Sequence, residues 1–279
     1  MSDSNLRSTQ CVAPPAPTPG AGELPERRTC MVLGVRIDAL GFDAAQEQLL
    51  AWCRHRDSRY VVLANAHVVA LAGQDAAFAV AVSSADMTTA DGAPVAWMMR
   101  KLGYAMQPRV SGPDLMLAML GCCVHEGLTV YLYGSSPTTL QALTQRVKSE
   151  FPALKLVGAE SPPFRAMSPK EDDDTVQRIN DSGASLVFVG LGCPKQEIWM
   201  AARRGKIRAV MVGVGAAFDY HAGNLQRAPR WMQDTGLEWF YRLLREPRRL
   251  WKRYLLTNTL FARGALRQLS DLRNRDSDK

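Results

Sequence analysis

No stretch of this chain is both long and apolar enough to cross a bilayer. The longest apolar run, residues 115–124 with one glycine included, is about half of what a spanning helix needs. Cysteine is sparse. The six residues Cys11, Cys30, Cys53, Cys122, Cys123 and Cys193 contain no CxxC pair, which argues against zinc modules and against a secreted disulfide scaffold. Free thiols in a reducing cytoplasm remain. The four histidines, His55, His67, His125 and His221, lack a metal-ligand spacing such as HExxH. No GxxxxGK[ST] motif is present, and the nearest approach to GxGxxG, at Gly190 and Gly192, has Lys195 where the third glycine belongs. A P-loop enzyme and a nicotinamide-dependent oxidoreductase are both disfavoured on that ground.

What is present is a globular composition: 279 residues, of which 47% are hydrophobic and 22% charged, exclude a wholly disordered or fibrous protein. The net charge of +7 is unevenly placed. Residues 236–279 carry 11 Lys and Arg against 5 Asp and Glu, a net of +6, so all that precedes them sums to +1. Such a tail points to an anionic partner: a lipid surface, a pyrophosphate or nucleic acid.

Residues 1–28, with five prolines between Pro14 and Pro25, read as a disordered leader. They lack the basic start and apolar run of a secretory signal. Beyond them, strand-like runs at 60–64, 86–90, 129–133, 155–157, 186–189 and 209–212 alternate with helical patterns at 42–53, 67–83, 113–125, 137–150, 169–182 and 195–203. The expected fold is α/β and Rossmann-like, a mostly parallel sheet flanked by helices over residues 29–233. Residues 234–279 form a basic, amphipathic helical appendage, interrupted at Pro247, with Leu250, Trp251, Leu255 and Phe261 expected to face lipid. Leucines and aromatics at helical spacing beside arginines suit an interface helix better than a nucleic-acid platform.

Several strand ends run into turns that suit chemistry. Gly134, the Gly190-Leu191-Gly192 turn and the Gly213-Val214-Gly215 turn each precede a helix, and N–H groups at helix starts attract phosphate. Each turn alone is weak, because any βα turn favours glycine. Together they suggest a nucleotide site. Asp91, before Gly92, places a carboxylate at a strand terminus, either a plain Asp-Gly turn or a general base. Asn65, ending an earlier strand, either caps the next helix or joins Asp91, and Arg109, before Ser111-Gly112-Pro113, could converge there. The acidic run 171–174 spells a DxD, the form in which many nucleotide-sugar enzymes hold a metal. Here Ser168-Pro169-Lys170-Glu171 reads instead as a capped helix start, and no metal is expected.

These segments resemble the WecG/TagA/CpsF glycosyltransferases, glycosyltransferase family 26. The matching residues are Ala64-Asn65, Ala90-Asp91-Gly92, the segments 109–112 and 131–134, residues 189–197 with Pro194-Lys195-Gln196-Glu197, residues 213–219, Arg227-Ala228-Pro229, Glu238-Trp239 with Arg242, and residues 246–249. The resemblance implies an inverting, membrane-associated hexosyltransferase without a cofactor. It would move N-acetylmannosamine, its uronic acid or another hexose from a UDP-sugar to a polyprenyl-pyrophosphate-linked saccharide in cell-surface polysaccharide synthesis. Asp91 would be the base. Asn65, Arg109, Gly134, Gly190, Gly192, Lys195, Gln196, Glu197, Gly215 and Arg227 would line the site, completed by appendage arginines among Arg242, Arg245, Arg248 and Arg249. Leu63 stands where the family usually has threonine. The implied location is cytoplasmic, on the inner face of the cytoplasmic membrane; nucleic acid is not an expected partner, and a homo-oligomer is left open.

Overall fold

The computed structural model describes residues 28–277. The leader expected over 1–28 lies outside them but for its last residue, as does Cys11. The described chain opens with a hairpin absent from the sequence reading, β1 (Thr29–Val32) and β2 (Val35–Asp38). Leu33 and Gly34 between them both take positive φ, 50° and 83°, as the tightest hairpin turns require. Short strands at the chain's start give too little alternation to register as a pattern.

Helix α1 (Phe42–His55) leads to β3 (Arg59–Ala64). The helix expected over 67–83 is two, α2 (Ala66–Ala72) and α3 (Ala76–Ser83), because Asp75 breaks the run and caps α3 by accepting from Phe78 N–H at 3.0 Å. There follow β4 (Met87–Ala90), α4 (Ala93–Lys101), α5 (Gly112–Glu126), β5 (Thr129–Gly134), α6 (Pro137–Glu150) and β6 (Lys155–Glu160). Helix α7 (Pro169–Asp181), β7 (Leu186–Gly190), α8 (Lys195–Arg203), β8 (Val210–Gly213) and α9 (Ala217–Ala222) complete the alternation. All six strands expected from the sequence are present, while α4 and α9 are additions. Ser168 and Glu171 make a reciprocal capping box at the start of α7, so the acidic run belongs to a helix N-terminus.

The six strands are parallel in the order β4-β3-β8-β7-β5-β6, and the winding reverses between β3 and β8. Their side chains alternate strictly between two cores. Tyr60, Val62, Ala64, Val187, Val189 and Met211 pack on one face, toward α2, α3, α4 and α8. Val61, Leu63, Leu186, Phe188, Val210 and Val212 pack on the other, toward α1, α5, α6 and α9. A parallel sheet buried on both faces reads as unbroken apolar runs, which is how β7 and β8 appear in sequence. Gly134 and Gly190 lie in register at the ends of β5 and β7. A Cβ on Gly134 would fall 2.6 Å from the Gly190 carbonyl carbon, and one on Gly190 would fall 2.6 Å from the Phe218 ring. Packing by itself therefore demands glycine at both.

The tail folds as α10 (Arg230–Asp234), α11 (Glu238–Arg245) and α12 (Pro247–Ser277), with Pro247 ending one helix and starting the next. One face of α12 is core. Leu250 and Phe261 are 1% and 6% exposed, which corrects the expectation that both face lipid. Phe261 and Ala265 join the cluster that includes Val68 and Val69 of α2. Gln268 then stitches the helix to the hairpin, accepting from Leu33 N–H at 2.9 Å and donating to Met31 C=O at 2.7 Å. Trp251 and Leu255, at 48% and 65%, do point outward. Phe261→Ala should lower the free energy of unfolding by about 3 kcal/mol, read from urea denaturation. Leu255→Ala should change it by less than about 0.5 kcal/mol.

Candidate active site

All six strands end on one edge of the sheet, and the edge at β3 and β4 holds the chemistry. Asp91 follows β4 directly, and its backbone N–H donates to the Ala64 carbonyl at 3.0 Å, extending the ladder one residue past the strand. On the other side Val110 N–H donates to the Ala90 carbonyl at 2.9 Å. That bond brings Arg109, Ser111 and the first turn of α5 alongside Asp91. Asn65 closes the third side. Its side-chain oxygen caps α2, accepting from His67 N–H at 3.0 Å and Val68 N–H at 3.2 Å. With the oxygen so engaged, the amide NH₂ faces the Asp91 carboxyl. Asn65 thus fills both roles open to it, cap and site residue.

Burial pushes the Asp91 carboxyl up to about 6. Arg109 opposes the rise, Glu238 adds to it, and hydrogen bonding by Asn65 and the Gly112 N–H pulls the value back down. The carboxylate is therefore held in reach of a neutral-pH proton transfer without being quenched by an ion pair. Leu63 does not enter this site. It is 4% exposed and packs beneath the start of α5, its Cδ1 3.1 Å from where a Gly112 Cβ would sit. The larger side chain fills core volume there.

Glu238, the first residue of α11, carries no role in the sequence reading beyond its place in a matching segment. Its Oε2 accepts from Arg109 at 2.9 Å, and its Oε1 lies 3.7 Å from Arg227 Nε. Arg227 forks onto Asp114 and also donates to Ser111 Oγ at 2.9 Å. Burial raises Asp114, but the Arg227 pairing outweighs it and holds that carboxyl below its usual value. Neither charge pattern nor spacing marks Glu238, one of only five acids in a basic tail.

A second group sits under the turn after β8. Gln196 and Glu197 are buried, and Gln196 Nε2 donates to Glu197 Oε1 at 2.8 Å. Gln196 Oε1 is buried without a hydrogen-bond partner, and the Glu197 carboxyl meets the Cys193 thiol. The Gln196 amide lies against both Gly213 and Gly215, where a Cβ would come within 3.1 and 3.3 Å of it. Burial raises the Glu197 carboxyl above its ordinary value. Gly192, at φ +78°, faces open space, and Lys195 is exposed at the start of α8.

The appendage arginines divide. Arg242 stacks over the Tyr220 ring at 5.6 Å and, with Arg245, lines a cavity of about 360 Å³ shared with Asn224, Gln226 and Glu246. Arg249 pairs with Glu246 at 2.8 Å and, like Arg242, acts electrostatically on Asp219. Arg248 is exposed on α12. Among the described residues no three His, Cys, Asp or Glu side chains gather as a metal site.

An N-acetylglucosaminyldiphosphoundecaprenol N-acetyl-beta-D-mannosaminyltransferase of Bacillus spizizenii is 31% identical over 222 residues, covering 76% of this chain and 84% of its own length. The protein of the same name in Bacillus subtilis is 33% identical over 175 residues, 62% of this chain and 66% of its own. Neither name is that of an oxidoreductase or a nucleic-acid-binding protein. The model of the glycosyl transferase WecG/TagA/CpsF family matches residues 30–275, the hairpin, the sheet and the appendage alike. This chain belongs to that family of glycosyltransferases.

Proposed function

We propose that this glycosyltransferase moves a sugar from a UDP-sugar to a saccharide carried on a polyprenyl pyrophosphate, with inversion at the anomeric carbon. The observation that carries the reading is the Asp91 carboxyl, raised to about 6 at the sheet's carboxyl edge and flanked by Asn65, Arg109 and the Gly112 N–H. Asp91 takes the proton of the acceptor hydroxyl while that oxygen attacks the anomeric carbon. UDP leaves on the opposite face. One displacement from an α-linked donor gives a β product, the linkage in the relatives' names. Those names favour N-acetylmannosamine over its uronic acid or a neutral hexose, and N-acetylglucosaminyl diphosphoundecaprenol as the acceptor.

The charge that develops on the departing diphosphate meets Arg109, the appendage arginines Arg242 and Arg249, and the N–H groups of the glycine turns. In this reading the arginines take the part that a divalent cation plays elsewhere. The appendage also serves as the membrane contact. Trp239, Phe240, Leu244, Trp251, Leu255 and Leu256 are exposed on α11 and α12 among Arg245, Arg248 and Lys252, and no described helix is long and apolar enough to span a membrane. Apolar side chains at the headgroup level and basic residues worth roughly 1 kcal/mol each support reversible docking on an anionic leaflet.

Asp91→Asn should cut turnover by about 10²–10⁴-fold while leaving UDP affinity nearly unchanged, because the amide keeps the shape but accepts no proton. In the unmodified enzyme kcat/KM should rise with pH through about 6, since Asp91 is protonated below that value and works only when ionised. Near-normal turnover of the Asn variant removes Asp91 from the mechanism. Turnover should also survive EDTA after metal stripping; strict dependence restored by magnesium or manganese would reverse the assignment of charge neutralisation to arginine. For the membrane contact, the double variant Trp251→Ser, Leu255→Ser should keep its melting temperature and lose co-sedimentation with anionic liposomes. Unchanged sedimentation places the contact elsewhere.

A further inference from the structure

Glu238 stands out among the charged groups at the sheet edge because it is a carboxylate in a place that handles anions. Its position is built. Gly236, at φ +78°, lets the turn before α11 close on α4, where a Cβ would come 2.7 Å from Ala93 Cβ, two residues after Asp91. The helix then begins with its carboxylate between two guanidinium groups of the core, Arg109 at 2.9 Å and Arg227 at 3.7 Å. Arg227 is also held by Asp114 and Ser111. Arg109 is the cation whose charge acts on the base, and among the described residues its hydrogen bond goes to Glu238 and not to Asp91. A direct Arg109–Asp91 pair would leave a carboxylate too weak to take a proton.

We propose that Glu238 is a positioning residue for the transfer reaction: by engaging Arg109 and Arg227, it keeps Arg109 from pairing with Asp91 and so leaves that carboxylate free to act as the base. The inference rests on Asp91 being the base, as proposed above. It also makes the appendage part of the chemistry, since α11 must be docked for the base to be free. The groups facing Asp91 are Arg109 and Gly112 from the segment entering α5, Asn65 from α2, and Glu238 from α11. Tyr220 of α9, Arg109 and Arg227 face Glu238 in turn. Burial, helped by the charge of Glu238, holds Asp91 up, and Arg109 draws it down. Removing the Glu238 charge while keeping its shape therefore acts in one direction, downward.

The test is the pH dependence of kcat/KM for Glu238→Gln in the full chain, with UDP-sugar and lipid-linked acceptor. The acid limb should move down by about one pH unit, and turnover on the plateau should fall. Glu238→Asp, which keeps the charge, should keep the limb where the unmodified enzyme has it. A limb that stays in place in Glu238→Gln overturns the inference, whatever happens to turnover, because a merely structural role alters activity without moving the base. If Glu238→Gln does not fold, the Asp91 carboxyl is titrated by NMR in the unmodified protein. A midpoint well above the ordinary aspartate value supports a base free of Arg109, and one at or below it overturns the inference. Asp91→Asn keeps the two readings apart. If that variant stays active, the base assignment itself has failed; if it is dead and the Glu238→Gln limb is unmoved, only the role of Glu238 falls.

Discussion

Everything at the site depends on a parallel sheet that is covered on both faces. Parallel pairing forces every strand of the sheet to end on the same edge, and burial of both faces leaves that edge as the place where polar groups can gather. The N-termini of α4, α5, α6 and α8 follow directly from strand ends or the segments beside them, and each adds the partial positive charge of its free N–H groups to one side of the molecule. The reversal of winding between β3 and β8 opens the crevice there. Asp91, Asn65, the 109–112 segment and the Gly213–Gly215 turn meet at that crevice because the topology gives them nowhere else to go.

Within that frame the electrostatics are finely balanced. Three carboxylates, those of Asp91, Asp114 and Glu238, share two guanidinium groups, those of Arg109 and Arg227. Asp114 takes most of Arg227 and stays ionised. Glu238 takes Arg109, and Asp91 is left without an ion-pair partner, its affinity for a proton raised by burial. Three neighbouring carboxylates thus acquire different tasks through their burial and their partners, the general way in which acid–base roles are divided.

The appendage has two faces with different physics. Phe261, Ala265 and Gln268 bind the inner face of α12 to α2 and the β1–β2 turn, so the end of the chain helps close the core that its beginning opens. Arg253 lies close enough to His67 that its charge, added to burial, lowers that imidazole to about 4 and keeps it neutral. The outer face keeps Trp251, Leu255 and Leu256 beside basic residues. A single amphipathic period therefore serves packing on one side and, in the proposed function, lipid on the other.

The fold was largely legible in the sequence because its signals are local. Strands β4, β5, β7 and β8 are short runs ended by glycine or Asp-Gly, and α6 and α8 begin where Pro137 and Lys195 follow a turn. The break at Asp75 and the hairpin were not legible, because the seven-residue α2 is too short to part from α3 by its periodicity and β1 and β2 lack the unbroken apolar run that marks β7 and β8. The direction in which α12 turns its leucines was equally hidden: Leu250 and Leu255 look alike in sequence, and only the presence of α2 on one side makes the first core and leaves the second exposed. In the site, Asp91 and Asn65 could be named from their strand-end positions and Arg109 from its place before a helix start. Glu238 could not, since it lies 129 residues from Arg109 and meets it only through the folded tail. The sequence by itself determined which residues end the strands and hence which groups line the sheet edge. Tertiary structure alone decided which charge neutralises which, because ion pairing depends on distance in space, and no local pattern encodes a contact between the middle of the chain and its end.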